Sequence, residues 1–95
     1  MPALRVWALA AACVACKTNV TPAQCESLVD RFAELMVKEE MPDASPATVE
    51  AEKAREKVEA AKEDVFRNCA TEVRPASYDC AMKAETTDAL VHCLE

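Results

Sequence analysis

Cysteine offers the most chemistry in this chain. There are six, Cys13, Cys16, Cys25, Cys69, Cys80 and Cys93, and a single histidine, His92. Zinc sites built on thiolates usually show two close ligand pairs. The last four cysteines are separated by 43, 10 and 12 intervening residues and form no such pairs. His92 next to Cys93 is an awkward ligand pair, because adjacent helical positions point about 100° apart. No CxxCH is present for covalent haem, and a CxxC at Cys13–Cys16 has no βαβ pattern around it to suggest a redox centre. The chemistry that remains is disulfide formation, which belongs to an oxidising compartment. No metal and no cofactor are expected.

Catalytic constellations are equally sparse. Acid–base and nucleophilic catalysis need positioned groups in a concave pocket. This chain has one histidine near its C-terminus and no glycine, hence no glycine-rich phosphate loop. Its carboxylates stand at the spacing of solvated helix faces, so an enzyme is not expected. A formal charge of −6 argues against nucleic acid and against adsorption to anionic lipid.

Residues 1–16 read MPALRVWALAAACVAC. One positive charge, Arg5, is followed by an apolar run from Val6, too short to span a bilayer, which takes roughly 18 residues. A basic start, a short apolar core and small residues before a cut describe an export signal. Its end resembles a bacterial lipoprotein signal, in which small residues precede the cysteine that takes the lipid. Cleavage before Cys16 discards Cys13 and leaves an even set of four further cysteines. Cleavage before Cys13, the alternative, leaves Cys16 as an odd thiol. A cut elsewhere gives a soluble secreted form. The expected organisation is a lipoprotein-type signal over 1–16, a tether over 17–20 and a helical domain over 21–95, with membrane contact only through the lipid.

Four elements must position the cysteines. The absence of glycine, the usual source of positive-φ turns, and the wealth of Ala, Glu and Lys argue for an all-α fold. Thr21 with Gln24 fits a capping box, and Pro22 suits the first helical position. Cys25, Leu28, Val29, Phe32, Leu35 and Met36 then trace one apolar stripe up to the break at Met41-Pro42. Ser45 and Pro46 open a second helix that the pattern extends to about Val73. Its apolar seam is Ala51, Ala54, Val58, Ala61, Val65 and Cys69, and charged residues cover the rest. A short helix over about Ala76–Ala84 and a last one capped by Thr86 or Thr87, with Asp88 in its first turn, complete the chain.

These elements give a small disulfide-stapled bundle, a long antiparallel helix pair followed by a short C-terminal helical hairpin. Antiparallel packing brings Cys25 towards Cys69, and the hairpin brings Cys80 towards Cys93. The competing pairing is Cys25–Cys93 with Cys69–Cys80. One difficulty attaches to the first. Between turn and staple the second helix exceeds the first by about seven residues, roughly 10 Å of rise. It must overhang, or begin later than Pro46.

Cys25-x-x-Leu28, an isolated Cys69 after a charged helix, the run from Tyr78 to Ala84 around Cys80, and Leu90-x-x-Cys93 carry a resemblance. They are similar to the small helical four-cysteine exported proteins and lipoproteins of myxobacteria and related deltaproteobacteria. The resemblance covers roughly residues 21–95. It implies a helical domain of the cell envelope with no agreed activity, and no site residues carry over. Two roles are therefore expected to compete. One is an envelope-tethered or secreted interaction module that presents a helical face to another envelope protein. The other is a carrier of a small apolar ligand held near Phe32, Met36, Tyr78 and Met82.

Overall fold

The computed structural model describes residues 19–95. The expected export signal, Cys13 and Cys16 lie outside the described residues. Within them every regular element is helical: α1 Pro22–Glu40, α2 Pro46–Ala60, α3 Asp64–Arg67, α4 Cys69–Glu72, α5 Pro75–Lys83 and α6 Thr87–Leu94. The starts follow the side chains that the sequence supplies. The Thr21 hydroxyl accepts from the Gln24 N–H at 3.1 Å, and Gln24 Oε1 accepts from the Thr21 N–H at 2.9 Å, closing the capping box. Ser45 caps α2 by accepting from the Thr48 N–H, and Thr86 caps α6 by accepting from the Ala89 N–H. Prolines open α1, α2 and α5, where a missing N–H costs nothing.

α1 is the axis of the body. α2 packs along it, and α4, α5 and α6 also contact it. Leu28 and Leu35 of α1, Phe66, Cys69, Val73, Ala81 and Leu90 belong to one buried cluster. Ala33 and Val37 are also fully buried but lie outside that cluster. Around a helix they fall within about 60° of Asp30, the side that meets α2.

The long second helix is not continuous. It starts at Pro46 as expected, ends at Ala60, and gives way to a turn at 61–63 followed by two single-turn helices. This break resolves the length mismatch between the two long helices. The chain neither overhangs nor starts late; it folds up into short turns that bring Cys69 back to Cys25. The break also changes which residues face inward. Val58, Ala51, Ala54 and Ala61, four members of the expected seam, are exposed, with Val58 at 61%. The face turned to α1 instead carries half-buried Lys53 and Lys57 and buried Ala60. From Ala60 to Phe66 a straight helix would turn about 600°, leaving Phe66 about 120° off that face. Breaking the helix removes the offset and lets Phe66, Cys69 and Val73 enter the core.

Both expected staples are present. Cys25 bonds Cys69 and Cys80 bonds Cys93, with Cα–Cα distances of 5.9 and 5.7 Å. The competing pairing is thereby excluded. Such bonds persist outside the reducing cytoplasm, which fits an extracytoplasmic setting. Among the described residues no helix is long and apolar enough to cross a membrane. Val20, assigned by sequence to the tether, is buried, and its N–H donates to the Val73 carbonyl at 3.4 Å. The packed body therefore includes the end of that segment.

Candidate functional site

Two depressions flank α1, and they differ in chemistry. Asp30 and Phe32 mark them. Two helical steps set these positions about 160° apart, on opposite sides of the same helix.

The Asp30 side is polar. Asp30 accepts ion pairs from Lys53 at 3.1 Å and Lys57 at 3.4 Å, tying α1 to α2. The next residue, Arg31, pairs with Glu34 at 2.6 Å and donates from Nη2 to the Ala84 carbonyl at 2.9 Å, tying α1 to the end of α5. Asp30, Arg31, Lys57 and Met82 line a depression of about 430 Å³. Most of its charges are matched within the fold, Asp30 by Lys53 and Lys57 and Arg31 by Glu34, whereas Glu26 has no ion-pair partner among the described residues. Burial raises the Asp30 pKa, but hydrogen bonds and charges from Lys53 and Lys57 outweigh it and hold the carboxyl below its ordinary value. The Lys53 ammonium is held above its ordinary value, chiefly by its hydrogen bond to Asp30. At the far end of α1, Glu39 accepts from the Thr87 N–H at 2.8 Å and the Thr87 hydroxyl at 2.7 Å. These two bonds lower the Glu39 pKa and cap α6 from another helix.

A pH dependence follows. The stabilisation from Asp30 and Glu39 is present above the ordinary Asp and Glu range, about 3.9–4.3, and is lost as pH falls through their lowered native values. Lys53 acts in the opposite sense. Its contribution is complete below about 10.4 and is lost as pH rises through its elevated native value. Urea midpoints should be flat from pH 6 to 9 and fall on both sides of that window. At pH 7 a double-mutant cycle of Asp30→Asn with Lys53→Met should give a coupling of about 0.2–1 kcal/mol. That coupling should fade as pH falls through the lowered native value of Asp30.

The Phe32 side is apolar. Phe32 and Met36 of α1, Val65 and Phe66 of α3, and Val91 of α6 form the floor of a groove of about 370 Å³. The rings of Phe32 and Phe66 meet at a centroid distance of 5.0 Å and an interplanar angle of 52°. One edge is lined by Glu56, Glu59 and Glu63. Glu59 pairs with Lys62 at 3.3 Å. Glu56 and Glu63 have no ion-pair partner among the described residues.

The four residues expected around a ligand are therefore divided. Phe32 and Met36 share the apolar groove, Met82 lines the polar depression on the other side of α1, and Tyr78 lines neither. Tyr78 packs partly buried against the core from α5. The division follows from the placement of α5, whose end is fixed by Arg31 on the polar side. The groove's remaining floor comes from Phe66 and Val91, which the seam pattern did not select. The signal available for Phe66 was its type, since it is the one large aromatic in a stretch otherwise built of small and charged residues.

The groove carries no nucleophile–base pair. It can desolvate apolar groups on its floor and attract cations along its edge. Among the described residues no three His, Cys, Asp or Glu side chains are grouped to hold a metal ion. Comparison with known protein families, with curated proteins and with solved structures found no match to this chain.

Proposed function

We propose that this chain is an exported, non-catalytic helical module that binds another protein of the cell envelope. It is tethered by lipid at Cys16, or released if the leader is cut elsewhere. The apolar groove beside Phe32 and Phe66 carries the proposal, because it offers binding area on a body fixed by two disulfides. A rigid body loses little freedom on binding, so the groove's contacts are not spent on ordering the module itself. The basic, apolar leader sequence and the disulfides support the envelope address. A second reading, the carrier of a small apolar ligand, draws on the same floor. Its volume lies within the roughly 300–1,000 Å³ range of small-molecule pockets.

Two measurements test the proposal. Intact-mass analysis of envelope-purified protein, with and without reductant, should show a mature chain beginning at Cys16 with a lipid adduct and two disulfides. A chain retaining residues 1–16 would overturn the address. A photo-crosslinking residue placed at Glu59 in cells should give a discrete protein adduct, whereas one at Asp43, in the distant α1–α2 turn, should give none. Equal labelling from both positions, or labelling from neither, would overturn the binding role.

A further inference from the structure

We infer that the partner presents a basic amphipathic segment to this groove: apolar side chains on one stripe, with lysines or arginines at one-turn intervals beside it. The inference rests on the protein-binding reading above and names the chemistry of the partner.

Charge complementarity carries it. Glu56, Glu59 and Glu63 follow one another at intervals of three and four residues along the edge of an apolar floor. Of these, Glu59 forms an ion pair with Lys62, and Glu56 and Glu63 form none among the described residues. No lysine or arginine lines the groove. The polar depression makes the contrast, since there Asp30 and Glu34 already hold Lys53, Lys57 and Arg31. Glu56 and Glu63 are thus left for a partner's cations. Glu56 and Glu59 stand one turn apart on α2, and Glu63 follows in the turn that ends it.

The same features select a polypeptide over a small amphiphile. The groove is an open trough, not an enclosed cavity. Small ligands bury roughly 70–90% of their surface, whereas a docked helix covers the trough with one face and leaves the other to its own protein. A simple amphiphile also brings one cation where the edge offers several carboxylates.

The test uses the full oxidised chain and fluorescein-labelled amphipathic peptides of about four helical turns. One is built of leucine and lysine and the other of leucine and glutamate, with the same leucine positions. Anisotropy titrations should show binding of the Lys/Leu peptide and none of the Glu/Leu peptide. The double variant Glu56→Lys with Glu63→Lys should weaken the Lys/Leu peptide about tenfold. Asp43→Lys with Glu50→Lys changes the net charge equally at two residues that do not line the groove, and should weaken the peptide clearly less, within about twofold. Circular dichroism and a thiol assay confirm that each variant keeps its helices and disulfides. Equal weakening by both double variants, or no binding by the parent chain, would overturn the inference. Binding of the Glu/Leu peptide that Val91→Glu abolishes would overturn the charge assignment and leave a protein-binding groove standing. Occupancy by dodecylamine, below its micellar concentration, with no peptide binding would overturn both readings in favour of a small ligand.

Discussion

Replacing Cys25 and Cys69 together by serine is expected to remove about 4 kcal/mol of stability. The chain-entropy cost of opening the longer loop sets that figure. The shorter Cys80–Cys93 loop is expected to contribute about 3 kcal/mol. A domain of this size is stabilised by roughly 5–15 kcal/mol in total. Loss of the first staple should therefore leave it marginal, and loss of both should unfold it at room temperature. The urea midpoint of the double variant, compared with the parent at equal m-value, measures the effect. Burial gives an order to reduction. Cys69 is 1% exposed whereas Cys80 lies at the surface, so limited reductant should open Cys80–Cys93 first. Alkylation and mass mapping at increasing reductant reports that order. A midpoint unchanged in the Cys25/Cys69 double variant would mean that packing alone holds α1 to α4.

Those staples were legible from the sequence because cysteine position and helix direction both constrain them. Cys25 stands one turn into a helix whose start is fixed by Thr21, Pro22 and Gln24. Cys69 stands near the end of the segment that must return to it. The helix starts at Ser45 and Thr86 were legible for a related reason, since a cap depends on local hydrogen bonds within a few residues. Contacts that depend on distant residues were not. Glu39 capping α6 and Arg31 reaching the Ala84 carbonyl join positions 48 and 53 residues apart. Nothing local distinguishes these two from the other charged residues of α1. The edge of the groove was hidden in the same way: Glu56, Glu59 and Glu63 look like any solvated face until Phe66 and Val91 are brought beside them.

The break after Ala60 was the largest departure from the sequence pattern. Ala51, Ala54, Val58, Ala61, Val65 and Cys69 do fall on one stripe of a straight helix, so periodicity favoured a continuous element. Three of those six positions carry alanine, and an alanine seam buries little area. Packing could therefore rotate the first half away from it at small loss. What the break gains is Phe66 in the core and a path short enough for Cys69 to meet Cys25. The ion pairs of Lys53 and Lys57 with Asp30 then form on the face turned to α1, where their aliphatic stems can cover apolar surface.

That account makes opposite claims about two residues of one segment. Phe66→Ala is expected to cost about 3–5 kcal/mol, the range for emptying a buried aromatic site. Phe66 is 6% exposed, meets the tilted ring of Phe32 at a centroid distance of 5.0 Å and belongs to the cluster that holds Leu28 and Leu35. Its removal also takes away the chief apolar gain of the broken helix, so α3 should lose protection from hydrogen exchange along with it. Val58→Ala, at a position 61% exposed, is expected to change stability by no more than about 0.5 kcal/mol. In a continuous helix with the sequence-derived seam, Val58 would face α1 and its truncation would be felt, while Phe66 would sit beside the seam and matter less. Chemical denaturation of the two single variants separates the alternatives. A larger loss for Val58→Ala than for Phe66→Ala would restore the straight helix and remove the apolar floor on which the groove is built.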